Sequence, residues 1–130
     1  MLRAIDTTTA PRPFSNYAQA IVVPAGARMI HVSGQVGITR DGQIAEDART
    51  QHELAWTHVL AILAAEGLDH RHIVDVHVFI TDSGHVGLYR EMRDHFLKGH
   101  KPAATLLIVS GLADPRLVVE VTVVAAAPAT

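Results

Sequence analysis

The chain has 130 residues, a net charge of −2 with its histidines neutral, and a hydrophobic fraction of 48%, which suits one domain of ordinary size. It contains no cysteine, so disulfides, thiolate nucleophiles and zinc–thiolate sites are excluded. Lys and Arg are not concentrated in any stretch, which argues against a nucleic-acid partner. No apolar run approaches the roughly 18–20 residues that span a bilayer, and the first residues lack the apolar segment of a secretory signal. We therefore expect a single domain over residues 1–130, with no membrane contact and a cytoplasmic location.

The first half of the chain predicts a loop, a hairpin and a helix. Residues 6–20 are rich in Thr, Pro, Ser and Asn and predict an irregular segment. Ala20–Val23 and Met29–Val36 are two β-rich runs around a Pro/Gly turn, which predicts a β-hairpin. Over about residues 46–66, apolar side chains recur at helical spacing without Gly or Pro, and Gly67 is well suited to end that helix.

The second half alternates strands with one further helix. Ile73–Thr81 has the period-2 pattern of a strand, and Asp82–Ser83 offers a cap for a helix that ends at Gly99. Thr105–Val109 and Leu117–Val124 are two more β-branched runs, which are typical of strands. The side chains expected on the buried stripes of the two helices are Ala48, Ala55, Val59, Ile62, Leu63, Val86, Tyr89, Phe96 and Leu97, with Trp56 at the edge of a stripe.

The predicted order is β-β-α-β-α-β-β, an α+β fold with two helices on one face of a mixed sheet. The last two strands are apolar on both faces, a pattern typical of strands that are buried on both sides. A sheet about five strands wide with one open face would expose more apolar surface than the few hundred Å² that monomers tolerate. We therefore expect another subunit to cover that face, although the pattern does not give the number of subunits.

The chain also carries short motifs at fixed spacing. They are Ala10-Pro11, Tyr17-Ala18-Gln19-Ala20, Val32-Ser33-Gly34-Gln35, Ala61-Ile62-Leu63 with Gly67, Val78-Phe79-Ile80-Thr81-Asp82, Lys101-Pro102-Ala103 and Val119-Glu120-Val121. In this order, over nearly the whole chain, they resemble the RidA/YjgF family, the reactive-intermediate/imine deaminases also described as endoribonuclease L-PSP-like. The resemblance implies a chorismate-mutase-like fold and a homotrimer with a central barrel and ligand clefts between subunits.

The activity implied by this resemblance is hydrolysis of enamines and imines that pyridoxal-phosphate enzymes release, such as 2-aminoacrylate. The enamine becomes an imine and water attacks it, so the protein has to orient the imine, position the water and move protons. No cofactor is needed. The resemblance assigns water positioning or proton transfer to Glu120 and a place in the cleft to Tyr17. It places substrate binding at Ser33, Gly34 and residues 103–105, which are Ala103, Ala104 and Thr105.

Each assignment has a structural alternative. A carboxylate in an apolar strand is costly unless it is hydrogen-bonded or placed in a site, so Glu120 could instead pair with Arg or Lys across an interface. Tyr17 could be an interface aromatic whose hydroxyl has a hydrogen-bond partner. Gly34 could be a plain turn or bulge residue.

The chain departs from the family at the residue that holds the substrate carboxylate. Lys101-Pro102-Ala103 is followed by Ala104 where the family has arginine. A charge-assisted arginine–carboxylate pair contributes roughly 1.5–3 kcal/mol, or about 10- to 100-fold in binding or rate. Ser15-Asn16 replaces the family's Gly-Pro, and Ala18 replaces its serine. We therefore expect a ligand other than 2-aminoacrylate as the main substrate.

Four arginines are candidates to replace the missing one. Arg12, in the N-terminal loop, and Arg116, just before the last strand, could reach a cleft at a subunit boundary. Arg90 and Arg93 lie on the second predicted helix. We expect each of the four to be a solvated surface charge.

Nine histidines are unusual for this length, but they do not predict a metal site. A catalytic zinc needs three ligands in fixed geometry, and no such set is evident. His31 shares a strand face with Ser33 and is the histidine nearest to the expected cleft. The histidines that lie close to acidic residues in the sequence are His70, His72 and His77, beside Asp69 and Asp75.

These observations favour a RidA-like small-molecule hydrolase or deaminase that acts on an imine, an enamine or a related labile metabolite. A non-catalytic ligand-binding or protective module of the same fold is the main alternative, because the cleft could persist without its chemistry. Ribonuclease activity is a weaker alternative, since the sequence shows no basic groove.

Overall fold

Four strands form one mixed sheet in the computed structural model, which describes residues 1–129. The elements in chain order are β1 (Arg3–Ile5), β2 (Ala20–Val22), β3 (Arg28–Val36), α1 (Ala48–Ala64), β4 (Ile73–Ile80), α2 (Val86–Leu97), β5 (Ala103–Ile108) and β6 (Val119–Ala127). The sheet order is β3-β6-β4-β5. β6 runs antiparallel to both of its neighbours, and β4 pairs with β5 in parallel across α2. The predicted α+β fold with a mixed sheet is confirmed.

The predicted hairpin between Ala20–Val23 and Met29–Val36 is wrong. β2 pairs instead with β1 in a separate two-stranded sheet, with Ile5 opposite Ala20, and β1 was not predicted. β3 pairs with β6 along its whole length. The physical reason is length, because three residues of β2 offer few ladder hydrogen bonds, whereas β6 offers a nine-residue partner.

Both helices pack on one face of the sheet around a core of aliphatic side chains. Trp56, predicted at the edge of the stripe of α1, is completely buried and stacks on Phe96 of α2 with the ring centroids 6.0 Å apart. Ile62, predicted inside the stripe, is 41% exposed. α1 begins at a cap in which the Asp47 carboxylate accepts from the Thr50 N–H, and a left-handed Lys98 ends α2. The core residues from the sheet are Val32, Ile73, Val76, Val78, Ile80, Val119, Val121, Val123, Ala125 and Ala127.

The second face of the sheet, which we call the open face, carries a mixture of polar and apolar side chains. Strand register places Glu120, Phe79 and Leu107 side by side on this face, because directly paired residues point the same way. Leu107 is 45% exposed. Thr122 and Thr105 lie one pair further along, on either side of His77. Neither helix covers this face within residues 1–129, and neither is long and apolar enough to cross a lipid bilayer.

Candidate functional site

A bulge in β3 shapes one part of the site. Val32 pairs with Val123 and Gln35 pairs with Val121, so Ser33 and Gly34 together oppose a single residue of β6. The opposed residue, Thr122, donates from its Oγ1 to the Val32 carbonyl at 2.7 Å. Bulges of this kind redirect the strand locally and are common beside active sites.

Gly34 lies directly against the carboxylate of Glu120. A Cβ at position 34 would come within 1.9 Å of Glu120 Oε2 and 2.7 Å of its Cδ. Only glycine therefore fits beside this carboxylate in its present position. Glu120 is half-buried on the open face, and none of the ion pairs formed within residues 1–129 includes it.

A second part of the site forms where the N-terminal loop crosses the start of β5. The Ala18 N–H donates to the Pro102 carbonyl at 2.9 Å, and Ala18 forms a parallel bridge with Ala103. The adjacent Tyr17 accepts at its hydroxyl from the Phe14 N–H at 3.1 Å. These contacts hold Tyr17 beside the segment in which the family arginine is replaced.

Gln19 keeps this loop in place from the other side. Its Oε1 accepts from the Thr7 N–H at 2.7 Å, and its Nε2 donates to the carbonyls of Thr7 and Pro11, both at 3.0 Å. The glutamine of the Tyr17-Ala18-Gln19-Ala20 motif is thus a brace for the loop that carries Tyr17.

A pocket of about 180 Å³ lies between this loop, α2 and β5. Tyr17 and Ala104 both line it, and Ala104 packs toward the core side of the sheet. The full lining is Phe14, Ser15, Tyr17, Tyr89, Arg90, Arg93, Ala104 and Leu106. We call this the Arg93 pocket. A larger cavity of about 710 Å³ is lined by residues of β1 and the N-terminal loop, including Arg12 and Tyr17, and by Lys101.

Arg93 is a functional candidate for which the sequence predicts a surface charge, and that prediction is wrong. Its side chain is 1% exposed, because it falls on the buried stripe of α2 one turn after Tyr89. Nε donates to Asp94 Oδ1 at 3.0 Å and Nη1 donates to Ser15 Oγ at 3.1 Å. The guanidinium carbon lies 5.2 Å from the centre of the Tyr89 ring. Asn16 holds the Asp94 carboxylate from outside, donating to Oδ2 at 3.1 Å.

The other arginines behave as expected from the sequence. Arg116 is 72% exposed and forms a two-point pair with Asp114, whose pKa the Arg116 hydrogen bonds lower to about 2. Arg12 and Arg90 are exposed, although Arg12 lines the larger cavity and Arg90 lines the Arg93 pocket.

Two of the nine histidines, His31 and His95, are exposed, six are half-buried, and His52 is buried. His31 is exposed on the open face, opposite Val124, and His77 lies 3.1 Å from Asp75. Among residues 1–129, no group of three or more His, Asp and Glu side chains is arranged to hold a metal ion.

His52 is an exception that sequence reasoning missed. It is completely buried, and neither ring nitrogen has a hydrogen-bond partner within the described chain. Burial, with smaller contributions from the charges of His85 and Arg49, lowers its pKa to about 4. In the sequence, His52 is one of several polar residues that interrupt the apolar stripe of α1, so no signal distinguished it as buried.

Within one chain, the predicted site residues fall into two groups. Ser33, Gly34 and Glu120 meet on the open face, which Thr105 also shares. Tyr17 and Ala104 meet in the Arg93 pocket on the core side, and Ala103 borders the loop through its bridge to Ala18. The sheet separates the two groups, so a single subunit does not assemble them into one cleft.

Comparisons with known proteins agree with this architecture. A model of the family described as Endoribonuclease L-PSP matches residues 7–127. The chain is 33% identical over 112 residues to Protein DfrA of Myxococcus xanthus, with 85% of each chain covered. It is 30% identical over 116 residues to the 2-iminobutanoate/2-iminopropanoate deaminase of Rattus norvegicus, with 85% of this chain and 80% of that protein covered.

Solved structures give the same result at the level of the fold. RidA from an Antarctic Psychrobacter superposes with a TM-score of 0.71 at 26% identity, covering 95% of this chain and 98% of that chain. YyfB from Yersinia pestis, of the Rid protein family, superposes with a TM-score of 0.83 at 20% identity, covering 95% and 97%. The chain therefore belongs to the RidA/YjgF family, the family that the Endoribonuclease L-PSP model describes.

Proposed function

We propose that this protein hydrolyses the C=N bond of small imines, which it takes up directly or as their enamine tautomers. The observation that carries the proposal is the Glu120 carboxylate, held against Gly34 on the open face and outside every ion pair formed within residues 1–129. A half-buried carboxylate beside exposed backbone is suited to bind a water molecule and accept its proton. The name of the rat relative, a deaminase of 2-imino acids, supports the same reaction class.

Hydrolysis of the C=N bond requires one proton-transfer group. The imine reacts in its protonated, iminium form. Water adds to the iminium carbon while Glu120 accepts a proton from the water, which gives a carbinolamine. Glu120 then returns that proton to the nitrogen, the C–N bond breaks, and the departing ammonia takes the proton of the hydroxyl as the carbonyl forms. The net reaction is iminium plus water to carbonyl plus ammonium, so no oxidant or cofactor enters.

We further propose that the active form is a homotrimer and that the cleft lies between subunits. The Glu120 group and the Tyr17 group lie on opposite faces of one sheet, so one chain does not bring them to the same ligand. A neighbouring subunit packed on the open face would place its own Tyr17 group beside Glu120. The exposed Leu107 and half-buried Phe79 supply apolar area for such packing.

The decisive experiment generates 2-iminobutanoate in solution and follows its loss against the spontaneous rate. Glu120→Gln keeps the size of the side chain but accepts no proton, and we expect its rate to fall to the spontaneous rate. Glu53→Gln, on the exposed face of α1, is the matched control and keeps wild-type activity. Wild-type protein that binds the product 2-oxobutanoate yet never exceeds the spontaneous rate would favour the non-catalytic binding module.

The alanine at position 104 predicts weak turnover of 2-aminoacrylate. With no arginine at this position, the substrate loses a two-point, charge-assisted contact worth about 10- to 100-fold. We expect kcat/KM for 2-aminoacrylate to lie below that of an arginine-bearing relative by about this factor. The measurement is a side-by-side assay at equal subunit concentration. Equal rates would show that the contact is not missing.

A further inference from the structure

We propose that Arg93 of α2 binds the carboxylate of the ligand, and that Asp94 sets the strength of that contact. The inference rests on the proposed function and deepens it, because it names the side chain that binds the substrate carboxylate. Arg93, a buried residue of α2, would then bind the carboxylate that the family's arginine binds and that Ala104 does not.

The Arg93 guanidinium is buried, and one of its nitrogens has no hydrogen-bond partner among residues 1–129. A guanidinium removed from water is costly unless its N–H groups are paired. Nε and Nη1 of Arg93 donate to Asp94 and Ser15, but Nη2 has no acceptor among residues 1–129. Nη2 does lie 3.0 Å from Asp94 Oδ1, yet that contact lacks the geometry of a hydrogen bond. A ligand oxygen that reached Nη2 would complete the pairing.

Arg93 and Ala104 lie in the lining of the same pocket, so side chains at both positions border one cavity. The exposed Arg90 adds a second positive charge to this lining. Tyr89 and Leu106 give it apolar walls. About 180 Å³ is below the roughly 300 Å³ that begins the range for drug-sized ligands, so the pocket suits a short-chain acid.

Three departures from the family motifs lie together around the Arg93–Asp94 pair and its pocket. Position 104 has lost its long side chain. Ser15 and Asn16 stand where Gly-Pro is expected, and both contact the Arg93–Asp94 pair, one accepting from Arg93 and the other donating to Asp94. The residues that replace Gly-Pro in the N-terminal loop thus form hydrogen bonds that stabilise the position of the Arg93 guanidinium on α2.

Asp94 explains why such a site would be weaker than an arginine fork. The Asp94 carboxylate already accepts a hydrogen bond from Nε and neutralises part of the Arg93 charge. A ligand therefore meets one free nitrogen, Nη2, instead of two. Arg93 therefore retains carboxylate binding without restoring full 2-aminoacrylate turnover. Removal of the Asp94 charge is expected to tighten binding, which a purely structural role for the pair would not produce.

The test is calorimetric titration with 2-oxobutanoate, the 2-oxo acid left when 2-iminobutanoate loses ammonia. We expect Arg93→Leu to weaken binding about 10-fold, the lower end of the range for a charge-assisted hydrogen bond, because only Nη2 is free to donate to the ligand. Asp94→Asn is expected to tighten it about 3- to 10-fold, within the same range of effects. Asp114→Asn is the matched control, because it removes the same charge from the exposed pair with Arg116, and leaves affinity unchanged.

Three results would overturn the inference. One is a folded Arg93→Leu protein that binds 2-oxobutanoate as the wild type does. Another is an Asp94→Asn protein that does not bind more tightly, which decides the question even if Arg93→Leu fails to fold. The third is equal weakening, on loss of Arg93, of 2-oxobutanoate and its uncharged amide 2-oxobutanamide, since the guanidinium would then only shape the pocket.

The turnover assay separates this inference from the proposed function. If wild type never exceeds the spontaneous rate but binds 2-oxobutanoate through Arg93, the enzyme proposal fails and the binding site stands. If turnover depends on Glu120 and is unchanged in Arg93→Leu, the enzyme proposal stands and the binding site fails. A further check is the exchange Arg93→Leu with Ala104→Arg, which we expect to bind at least as tightly as wild type, whereas Ala104→Arg alone crowds two guanidinium groups into one small pocket.

Discussion

The Glu120 carboxylate occupies the space beside Gly34 that a Cβ at position 34 would need. The clash of Gly34→Ala falls on the end of a flexible side chain, so we expect Glu120 to swing away while the fold loses less than about 1 kcal/mol. Imine turnover is expected to fall toward the level of Glu120→Gln. Gly111→Ala is the control, because a Cβ at position 111 meets no atom within 4 Å. A fully active Gly34→Ala protein would show that the position of Glu120 does not matter.

The side chain of Gln51 is expected to contribute strongly to the stability of the fold. Its buried amide donates to the carbonyls of Ala45 and Arg116 and accepts from the Val118 N–H, all at 2.9 Å. Gln51→Leu leaves these backbone groups without partners, and we expect a loss of about 3 kcal/mol in the free energy of unfolding. Urea denaturation measures it. The exposed Gln43→Leu is expected to change stability by less than about 0.5 kcal/mol.

His52 predicts how stability depends on pH. Its pKa is about 4 in the folded chain against 6.5 for the free side chain, so between these values the unfolded chain binds more protons. Stability therefore decreases as pH falls from 6.5 to 4, by about 3 kcal/mol from this residue. Denaturant midpoints for wild type and His52→Leu, measured from pH 7 to pH 4, give the contribution as their difference. Parallel curves would contradict it.

The subunit number is tested by light scattering. We expect three times the 14.0 kDa mass of one chain at micromolar concentration. Leu107→Asp places a charge on the open face and is expected to dissociate the trimer, since an unpaired charge in an apolar interface is costly. Ile62→Asp changes an equally exposed residue on α1 and leaves the mass unchanged. A stable wild-type monomer would refute the trimer.

Periodicity predicted the helices well because each has a long apolar stripe. The predicted span 46–66 became Ala48–Ala64. The pairing of strands was harder to predict, because the three residues of β2 carry too little pattern to show whether it pairs with β1 or with β3. β2 was therefore assigned to the wrong neighbour. Trp56, predicted at the edge of its stripe, is likewise buried by stacking on Phe96 of α2, a contact that the pattern of α1 alone does not show.

The sequence predicted individual residues of the site but not their arrangement in space. Motif resemblance named Glu120, Gly34 and Tyr17, yet only the strand register and the pocket that Tyr17 lines show that the first two lie across the sheet from the third. Arg93 was missed although its spacing from Tyr89 and Leu97 places it on the buried stripe of α2. A charged residue inside an apolar stripe was the available signal.

The hydrogen bond from Ala18 to Pro102 has a consequence for how the protein acquires its site. It joins the first fifth of the sequence to the last third, and it closes the pocket wall only when β5 has been placed in the sheet. Contacts between such distant segments form slowly, since a long loop of chain has to be closed first. During synthesis the helices and β4 can form while the loop around Tyr17 has nothing to dock on. The pocket, whose lining extends to Leu106, is completed only after β5 has left the ribosome.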